Sequence, residues 1–382
     1  MQISRQEAER LYQSGVEALR QGKAGDARSH FEQLVAAGAT GEMPWLLLAI
    51  ARRGDNDIAG EEQALNRLLA IEPRSIRGHI LKGDCRSNAG DDEAAIQFYK
   101  NALRLAENVA LPPDVMDDVR GAEQSLAELQ KQSHARREAL LVKRGLPADQ
   151  WSPRFRHALE LAGGRRRQYL QQPTAFAYPE LPQIQYYDPA RFDWATELEA
   201  ATPVIREELR ALLQAQGTED FRAYIQAGSD ELRMDQTRGL LGNKDWSALF
   251  LCENGSTVPK VIERCPKSWE AVLKAPLPTI AGWGPTVMFS LLKAGARIAP
   301  HTGMFNTRLI CHLPLIVPPN CRFRVGNEVR EWEEGKLLVF DDTIEHEAWN
   351  DSGEDRVILI FDIWRPELND QERGELAALF AP

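Results

Sequence analysis

The stretch from Pro285 to Pro366 decides the fold of this chain, and it reads PTVMFSLLKAGARIAPHTGMFNTRLICHLPLIVPPNCRFRVGNEVREWEEGKLLVFDDTIEHEAWNDSGEDRVILIFDIWRP. Short runs rich in Val, Ile, Leu and Phe alternate with Gly, Pro, Asn and Asp, which predicts about eight strands with tight connections. Such a succession of short strands is typical of a small all-β barrel or jelly roll. The stretch also holds His301, His312 and His346, three of the seven histidines.

Two of these histidines stand in patterns that suggest metal chemistry. His301 opens an H-T-G triplet, His346 lies in E-H-E-A-W, and Arg356 begins the apolar run RVILIFDIW. Two imidazoles and a buried arginine are the components of a non-haem iron site that also binds a dicarboxylate. Iron(II) oxygenases usually add a carboxylate to two histidines. Gly303 occupies the position where that carboxylate is expected, so the side-chain ligand is missing.

These motifs resemble the catalytic domain of the aspartyl/asparaginyl β-hydroxylase family, whose members are dioxygenases dependent on 2-oxoglutarate and iron(II). The matching residues are His301-Thr302-Gly303 in place of H-x-D, Phe340-Asp341-Asp342 ahead of His346, and Arg356. The combination is specific where H-T-G alone would not be. The resemblance covers the second half of the chain and implies a double-stranded β-helix (jelly-roll) domain.

The resemblance also assigns roles to individual residues. His301 and His346 would bind Fe(II) as neutral imidazoles, each oriented by a hydrogen-bond acceptor. Arg356 would pair with the distal carboxylate of 2-oxoglutarate, and an arginine at the head of an apolar strand needs an anionic partner in any case. O2 would be the second cosubstrate, and succinate and CO2 the coproducts.

Three further residues enter the site only through the resemblance. Ser290 would donate to the same carboxylate as the arginine, His312 would lie near the keto-acid end, and Trp246 would lie near the cosubstrate. Without the family, Ser290 is a strand serine, His312 a buried histidine and Trp246 a core aromatic.

The substrate is less well defined by the resemblance. The family includes enzymes that act on Asp or Asn side chains in peptides and relatives that act on lipid A acyl chains. Members specific for aspartyl residues tend to carry two arginines, two positions apart, after the first histidine. Here Arg308 is present, but the second position is Ile310. Arg322 and Arg324 alternate along another strand and could bind substrate instead, or they could form a solvated strand face.

Hydroxylation of a peptidyl Asp or Asn side chain is the favoured interpretation of the second half. The alternatives are a helical-repeat adaptor with a degenerate, non-catalytic barrel, a lipid acyl-chain hydroxylase, and a halogenase. A halogenase is considered because a halide could use the coordination position that Gly303 leaves open.

An internal repeat organises the first third. Residues Gly15, Ala49 and Gly83 are spaced by 34, and so are Phe31, Leu65 and Tyr99. Small residues alternating with large ones at this period predict tetratricopeptide-like helical pairs over about residues 8–109. The turns between helices are predicted at Gly25-Asp26-Ala27, Gly54-Asp55 and Gly90-Asp91. Such stacks bind peptides or partner proteins on a concave face, or else they support an attached enzyme.

The predicted domains are a helical-repeat domain over 1–145 with a capping helix from Pro113 to Arg144, a linking helix over 146–171, and the dioxygenase domain over 172–382. In more detail, we predict a helix over 153–171, helices over 194–216 and 219–225, a strand over 243–250 and a short helix from Cys265-Pro266. The helices over 194–216 and 219–225 would pack on the outside of the barrel, and the strand over 243–250 would be the first to approach the active site.

Composition narrows the class of protein. A hydrophobic fraction of 43% allows a sizeable core, and a net charge of −10 argues against a nucleic-acid partner. The sequence contains no secretory signal and no membrane span, and its five cysteines lack metal-ligand spacing. Unpaired thiols fit a reducing compartment, so a cytoplasmic protein is expected, of undetermined oligomeric state.

Overall fold

The computed structural model describes residues 3–39, 41–225 and 242–381. It divides into two compact units, Met1–Arg166 and Arg167–Pro382, and each is described by itself. The predicted boundary near residue 172 lies slightly later in the chain than this division.

Unit 1 is a stack of helical pairs. Its helices are α1 (Arg5–Arg20), α2 (Ala24–Ala36), α3 (Glu42–Gly54), α4 (Ile58–Ile71), α5 (Ile76–Asn88), α6 (Asp92–Ala106), α7 (Pro113–Lys143) and α8 (Pro153–Ala162). Consecutive helices contact each other from α1 to α7, which is the nearest-neighbour packing of a tetratricopeptide-like repeat. The predicted repeats and capping helix are confirmed.

Small residues let the paired helices approach closely. A Cβ built on Gly15 would lie 2.6 Å from the ring of Phe31, and one on Gly83 would lie 2.6 Å from the ring of Tyr99. Both rings are buried, so the 34-residue period seen in the sequence marks the same contact in the first and third repeats.

Two local predictions in unit 1 are wrong. Gly25 lies inside the first turn of α2, because α1 already ends at Arg20 and the turn occupies residues 21–23. The helix predicted over 153–171 ends at Ala162, where Gly163 and Gly164 follow and Gly164 adopts a positive φ of 69°.

Unit 2 combines short helices with two β-sheets. Its helices are α9 (Ala195–Ala200), α10 (Thr202–Gln216), α11 (Pro259–Ile262), α12 (Pro266–Val272) and α13 (Asp370–Phe380). Its strands are β1 (Tyr186–Tyr187), β2 (Arg222–Ala223), β3 (Trp246–Glu253), β4 (Ser256–Thr257), β5 (Val287–Leu292), β6 (Arg297–His301), β7 (Arg308–Ile316), β8 (Cys321–Val325), β9 (Glu328–Glu331), β10 (Leu338–Phe340), β11 (His346–Asn350) and β12 (Arg356–Trp364). Eight of these strands, β5 to β12, lie within 285–366, which confirms the predicted number.

The strands form two antiparallel sheets that face each other, as in a jelly roll. The larger sheet has the order β1-β10-β7-β12-β5-β3-β2 with β4 paired to β3, and the smaller has the order β6-β11-β8-β9. One face of the larger sheet packs with α9, α10 and α12 in a core that includes Leu309, Leu359 and Phe361. The alternate side chains of the same strands point toward the smaller sheet, where Ile358 packs with Phe323.

Among the other predictions for unit 2, some are confirmed and some are wrong. The helix predicted over 194–216 is two helices, because Thr202-Pro203 begins α10 after α9 has ended at Ala200. Residues 219–225 are not a helix, since they include strand β2. The strand predicted over 243–250 begins at Trp246, and the short helix expected after Cys265 is α12.

The five cysteines are unpaired and buried, as predicted. Burial raises the pKa of Cys252 to about 11 and that of Cys265 to about 12. None of the helices in the described ranges combines the length and the apolar character needed to cross a bilayer.

Candidate functional site

A pocket of about 360 Å³ lies between the two sheets of unit 2. Strand β12 supplies four of its lining residues at alternate positions, namely Arg356, Ile358, Ile360 and Asp362. Period-2 alternation explains this, because the intervening Val357 and Leu359 belong to the core behind the sheet.

His301 and His346 meet at the wall formed by the smaller sheet. They are directly paired on strands β6 and β11, and their ring centroids are 4.1 Å apart. Each Nδ1 donates to a backbone carbonyl, at 2.8 Å to Ala299 for His301 and at 3.1 Å to Ile344 for His346. A neutral ring with its hydrogen on Nδ1 carries its lone pair on Nε2, the atom suited to bind a metal.

The position of Asp342 explains why the third residue of the His301-Thr302-Gly303 triplet is a glycine and not a carboxylate residue. A Cβ built on Gly303 would overlap the carboxylate group of Asp342. The Asp342 side chain is 6% exposed and lines the same pocket as the two histidines. A carboxylate is therefore present beside the histidine pair, but it comes from the loop before His346.

Arg356 is the most unusual electrostatic feature of the pocket. It is 1% exposed, and its Nε and Nη1 atoms have no hydrogen-bond partner among the described residues. Its guanidinium lies 4.6 Å from the ring centroid of Trp332. Burial lowers the pKa of Arg356 to about 9. A buried, unpartnered guanidinium in a pocket indicates a binding place for an anion.

Ser290 and Trp246 lie in the same pocket. Ser290 is fully buried, and its Oγ accepts a hydrogen bond of 3.2 Å from Nε1 of Trp246. Because the serine oxygen is the acceptor there, its own hydrogen remains available to donate. The Trp246 ring centroid is 6.1 Å from that of His301, so the predicted cosubstrate tryptophan lies beside the first histidine.

His312 also lines the pocket. Its Nδ1 accepts a hydrogen bond of 3.4 Å from Nε1 of Trp332, so a neutral ring carries its hydrogen on Nε2. Burial and the nearby Arg356 hold the pKa of His312 well below its ordinary value. His312 is therefore a neutral donor rather than a cation.

Arg308 lines another part of the pocket and is already paired. Its Nη1 is 3.0 Å from Oδ2 of Asp362, and both side chains are buried. Its guanidinium is 5.6 Å from the ring centroids of Trp283 and Phe305. Ile310 lines the same pocket, so the predicted second arginine position is apolar here.

Arg322 and Arg324 are placed outside the pocket. Arg322 pairs with Asp351 at 2.7 Å, and Arg324 binds Glu345 just before β11 and Glu347 on β11. Their predicted contact with substrate is not supported by these positions, because alternation turns both side chains away from the pocket.

Three residues of the pocket were not predicted as site residues, although Asp342 stands in the motif quoted ahead of His346. Trp332 covers Arg356, Asp362 neutralises Arg308, and Asp342 fills the space beside Gly303. Asp362 could have been predicted from the sequence, because an even spacing of six residues places it on the same strand face as Arg356. Within residues 3–39, 41–225 and 242–381, no cluster of three or more His, Cys, Asp or Glu side chains has the arrangement of a metal site.

Comparisons with known proteins agree with the geometry. An ornithine lipid ester-linked acyl 2-hydroxylase from Rhizobium tropici is 37% identical over 196 residues, which are 50% of this chain and 63% of that protein. The aspartyl/asparaginyl beta-hydroxylase of Homo sapiens is 39% identical over 155 residues, 38% of this chain and 20% of that protein. The chain thus spans less than two thirds of the length of these relatives.

Among solved structures, PcrH from Pseudomonas aeruginosa covers 33% of this chain and 94% of its own, at 20% identity and a TM-score of 0.31. Residues 199–366 match the family model described as Aspartyl/Asparaginyl beta-hydroxylase, a range that contains His301, Gly303, His346 and Arg356. By this match, residues 199–366 are similar to the aspartyl/asparaginyl β-hydroxylase family.

Proposed function

We propose that unit 2 is a hydroxylase dependent on Fe(II) and 2-oxoglutarate. The observation that carries the proposal is Arg356, a fully buried guanidinium with unpartnered nitrogen atoms among the described residues, in the same pocket as the His301 and His346 pair. An anionic ligand beside a two-histidine metal site is what a keto diacid cosubstrate requires.

The side chains present fit the metal. His301 and His346 would bind Fe(II) through Nε2, because the backbone carbonyls of Ala299 and Ile344 hold the hydrogen on Nδ1. Asp342 would act on a water in the remaining position, since its carboxylate lies where a side chain at Gly303 would begin. This arrangement supports hydroxylation with a two-histidine site.

The side chains present also fit 2-oxoglutarate. Arg356, Ser290 and His312 each have a hydrogen to donate, and all three are buried. The guanidinium would form a bidentate pair with the distal carboxylate, with Ser290 donating to the same group. A neutral His312 would donate from Nε2 without adding a second charge.

When bound together, iron(II) and 2-oxoglutarate supply the oxygen activation that inserts one oxygen atom into a C–H bond, with succinate and CO2 as coproducts. The protein orients both ligands and excludes water. Ile358, Phe323 and Phe340 provide the apolar wall for this purpose, and they are nearly fully buried.

An Asp or Asn side chain of a peptide or protein is the first candidate substrate. It is supported by the match of residues 199–366 to the family model and by the attached tetratricopeptide-like unit, a type of module that binds peptides. The unpaired, buried cysteines support a reducing compartment such as the cytoplasm.

An apolar acyl chain is the second candidate, and a specific observation favours it. Asp362 already neutralises Arg308, and Ile310 stands where a second arginine would bind a carboxylate. Trp283 and Phe305 form the adjoining wall. A pocket of this composition accepts uncharged groups more readily than a free carboxylate.

The experiment that tests the function offers both substrates in parallel. The protein is incubated with Fe(II), 2-oxoglutarate and either a proteome-derived peptide library or a lipid extract. A gain of about 16 Da on a peptide or on an acyl chain, the mass of one oxygen atom, identifies the substrate class. Matched His346→Ala samples must lack the product.

Other outcomes would favour the alternative functions. Chloride incorporation would indicate a halogenase that uses the position beside Gly303. If neither wild type nor His346→Ala protein binds metal or forms succinate, the two-sheet unit is a degenerate barrel and the chain acts as an adaptor.

A further inference from the structure

The loops next to the two histidines help to set the positions of their rings. His301 is the last residue of β6 and His346 is the first residue of β11, so each is followed or preceded by a loop. The pairing of these strands is irregular between His346 and Ala348. The sheet alone therefore fixes the rings only on one side, and the loops 302–307 and 341–345 must fix them on the other.

A segment ahead of the first strand of unit 2 runs beside both loops. We name residues 171–178 the strap. Its backbone amides donate to loop carbonyls, from Gln172 to Thr343 at 2.7 Å, from Thr174 to Gly303 at 3.0 Å, and from Phe176 to Met304 at 3.0 Å. Phe176 also forms a parallel bridge with Phe305. The strap thus runs alongside the H-T-G loop and is hydrogen-bonded to its backbone.

One side chain of the strap joins the two loops directly. Nε2 of Gln171 donates to Oδ2 of Asp341 at 2.6 Å, and Oε1 of Gln171 accepts from Nδ2 of Asn306 at 3.0 Å. Its backbone amide donates to Gln183 at 2.7 Å, which holds the residue in place. A single carboxamide therefore connects the loop before His346 with the loop after His301.

The two residues that Gln171 contacts are themselves held firmly. Arg365 donates from Nη1 to Oδ2 of Asp341 at 2.8 Å and to the carbonyl of Asn306 at 3.1 Å. It also donates from Nη2 to the hydroxyl of Tyr187 at 2.6 Å and to the carbonyl of Pro182 at 3.0 Å. The Arg365 and Asp341 side chains are fully buried, so the network is rigid.

We propose that Gln171 is a positioning residue of the metal site, which acts by fixing the separation of the two histidine loops. The proposal rests on the Fe(II) site of the proposed function. It extends that site to a residue far from the histidines in sequence and outside the family match that begins at 199. Substituting a residue that orients metal ligands indirectly commonly weakens metal binding by about 10–100-fold.

The test compares Gln171→Ala with Gln172→Ala in the full chain. Gln172 is the adjacent, exposed residue of the same type. Its contact with the loop is made by its backbone amide, which alanine retains. Mn²⁺ replaces Fe(II) because it resists oxidation, and free Mn²⁺ is quantified by its electron paramagnetic resonance signal. Gln171→Ala is expected to raise the Kd for Mn²⁺ about tenfold, and Gln172→Ala less than about twofold.

A second variant separates positioning from folding. Asn306→Ala removes the other partner of the Gln171 carboxamide, so it should weaken Mn²⁺ binding as well. Asn306 also accepts from the backbone amide of Tyr178 at 2.7 Å and donates to its carbonyl at 2.9 Å, so Asn306→Ala breaks more contacts than Gln171→Ala does. The double variant should bind Mn²⁺ about as well as Asn306→Ala alone, because Gln171 no longer connects the two loops once the Asn306 side chain is removed. Circular dichroism and Tm report whether each variant remains folded.

Equal Mn²⁺ affinity in Gln171→Ala and Gln172→Ala, with wild type binding normally, would overturn the proposal. So would a lower Tm of Gln171→Ala without any change in Mn²⁺ affinity, which would mark the residue as structural only. If wild type itself binds no Mn²⁺, the metal site fails and the positioning role fails with it.

Discussion

At the scale of single residues, Arg356 should behave differently from other buried arginines. Its charge is desolvated and unpartnered among the described residues, so the ligand-free protein carries an electrostatic cost that an anion would relieve. Arg356→Met should stabilise the ligand-free protein by roughly 1 kcal/mol or more. It should also weaken 2-oxoglutarate binding by about a hundredfold or more.

Denaturant unfolding and calorimetric titration with 2-oxoglutarate measure the two effects. Arg322→Met is the matched control, because that arginine is partly exposed and lies outside the pocket. A ligand-free Arg356→Met protein that is less stable than wild type and still binds 2-oxoglutarate normally would contradict this reading of the pocket.

The buried His312 should make the free energy of unfolding depend on pH. Its pKa is well below the ordinary value of 6.5 in the folded state, so only the unfolded chain takes up a proton there as the pH falls below about 6.5. Protonation of His312 in the unfolded chain therefore lowers the free energy of unfolding below about pH 6.5 and has no effect well above it. Between pH 7.5 and 5.5, wild type should lose about 1 kcal/mol more free energy of unfolding than His312→Gln. Urea unfolding at both pH values measures this, and equal losses would refute it.

The motif residues could be predicted from the sequence, but their surroundings could not. The resemblance of the motifs that hold His301, His346 and Arg356 implied a shared site, and all three residues line one pocket. The overlap between the Gly303 position and the Asp342 carboxylate depends on how two loops approach, which no local pattern encodes. A hydrogen-bond acceptor was expected to orient each histidine ring, and for His346 the backbone carbonyl of Ile344 is such an acceptor.

At the scale of elements, the connection between β11 and β12 sets the relative placement of His346 and Arg356. Asn350 is fully buried at its start, and Nδ2 donates to the carbonyls of Leu292 and Lys293 at 3.0 Å and of Glu354 at 2.8 Å. Asn350→Ala should lower the free energy of unfolding by about 2–3 kcal/mol, because buried carbonyls lose their donor.

Chemical denaturation measures this loss, and Asn350→Asp serves as the comparison. The aspartate keeps the acceptor for Ser352 but has no hydrogens for the three carbonyls, so it should be about as destabilising as alanine. A free energy of unfolding for Asn350→Asp equal to that of wild type would show that the hydrogen bonds donated by Asn350 do not contribute to stability.

Regular elements were easier to predict than connectors. The eight strands between 285 and 366 follow from alternation and turn residues, and the helical repeats follow from a fixed period. Residues 219–225 were predicted as a helix but include β2, since pairing with β3 overrides local preference. The hydrogen bonds of the strap were not predicted, because they go to loops distant in sequence.

At the scale of the whole molecule, two compact units of different architecture share one chain. The sequence predicted a helical-repeat domain and a dioxygenase domain joined by a linking helix over 146–171, and the structure divides the chain between Arg166 and Arg167. The strap lies just after this point, so the segment that leaves unit 1 also braces the histidine loops of unit 2. A catalytic fragment that began after the strap would lack these contacts.

The most direct test of the central claim is whether one pocket holds Fe(II) and 2-oxoglutarate in contact with each other. A keto acid chelated to Fe(II) produces a visible charge-transfer absorption under anaerobic conditions, which neither ligand produces alone. Wild-type protein should show this band only when both ligands are added. His346→Ala should not show it, and Arg356→Met should show it only at much higher 2-oxoglutarate concentration. A band of equal intensity in all three proteins, or no band in wild type, would contradict the account.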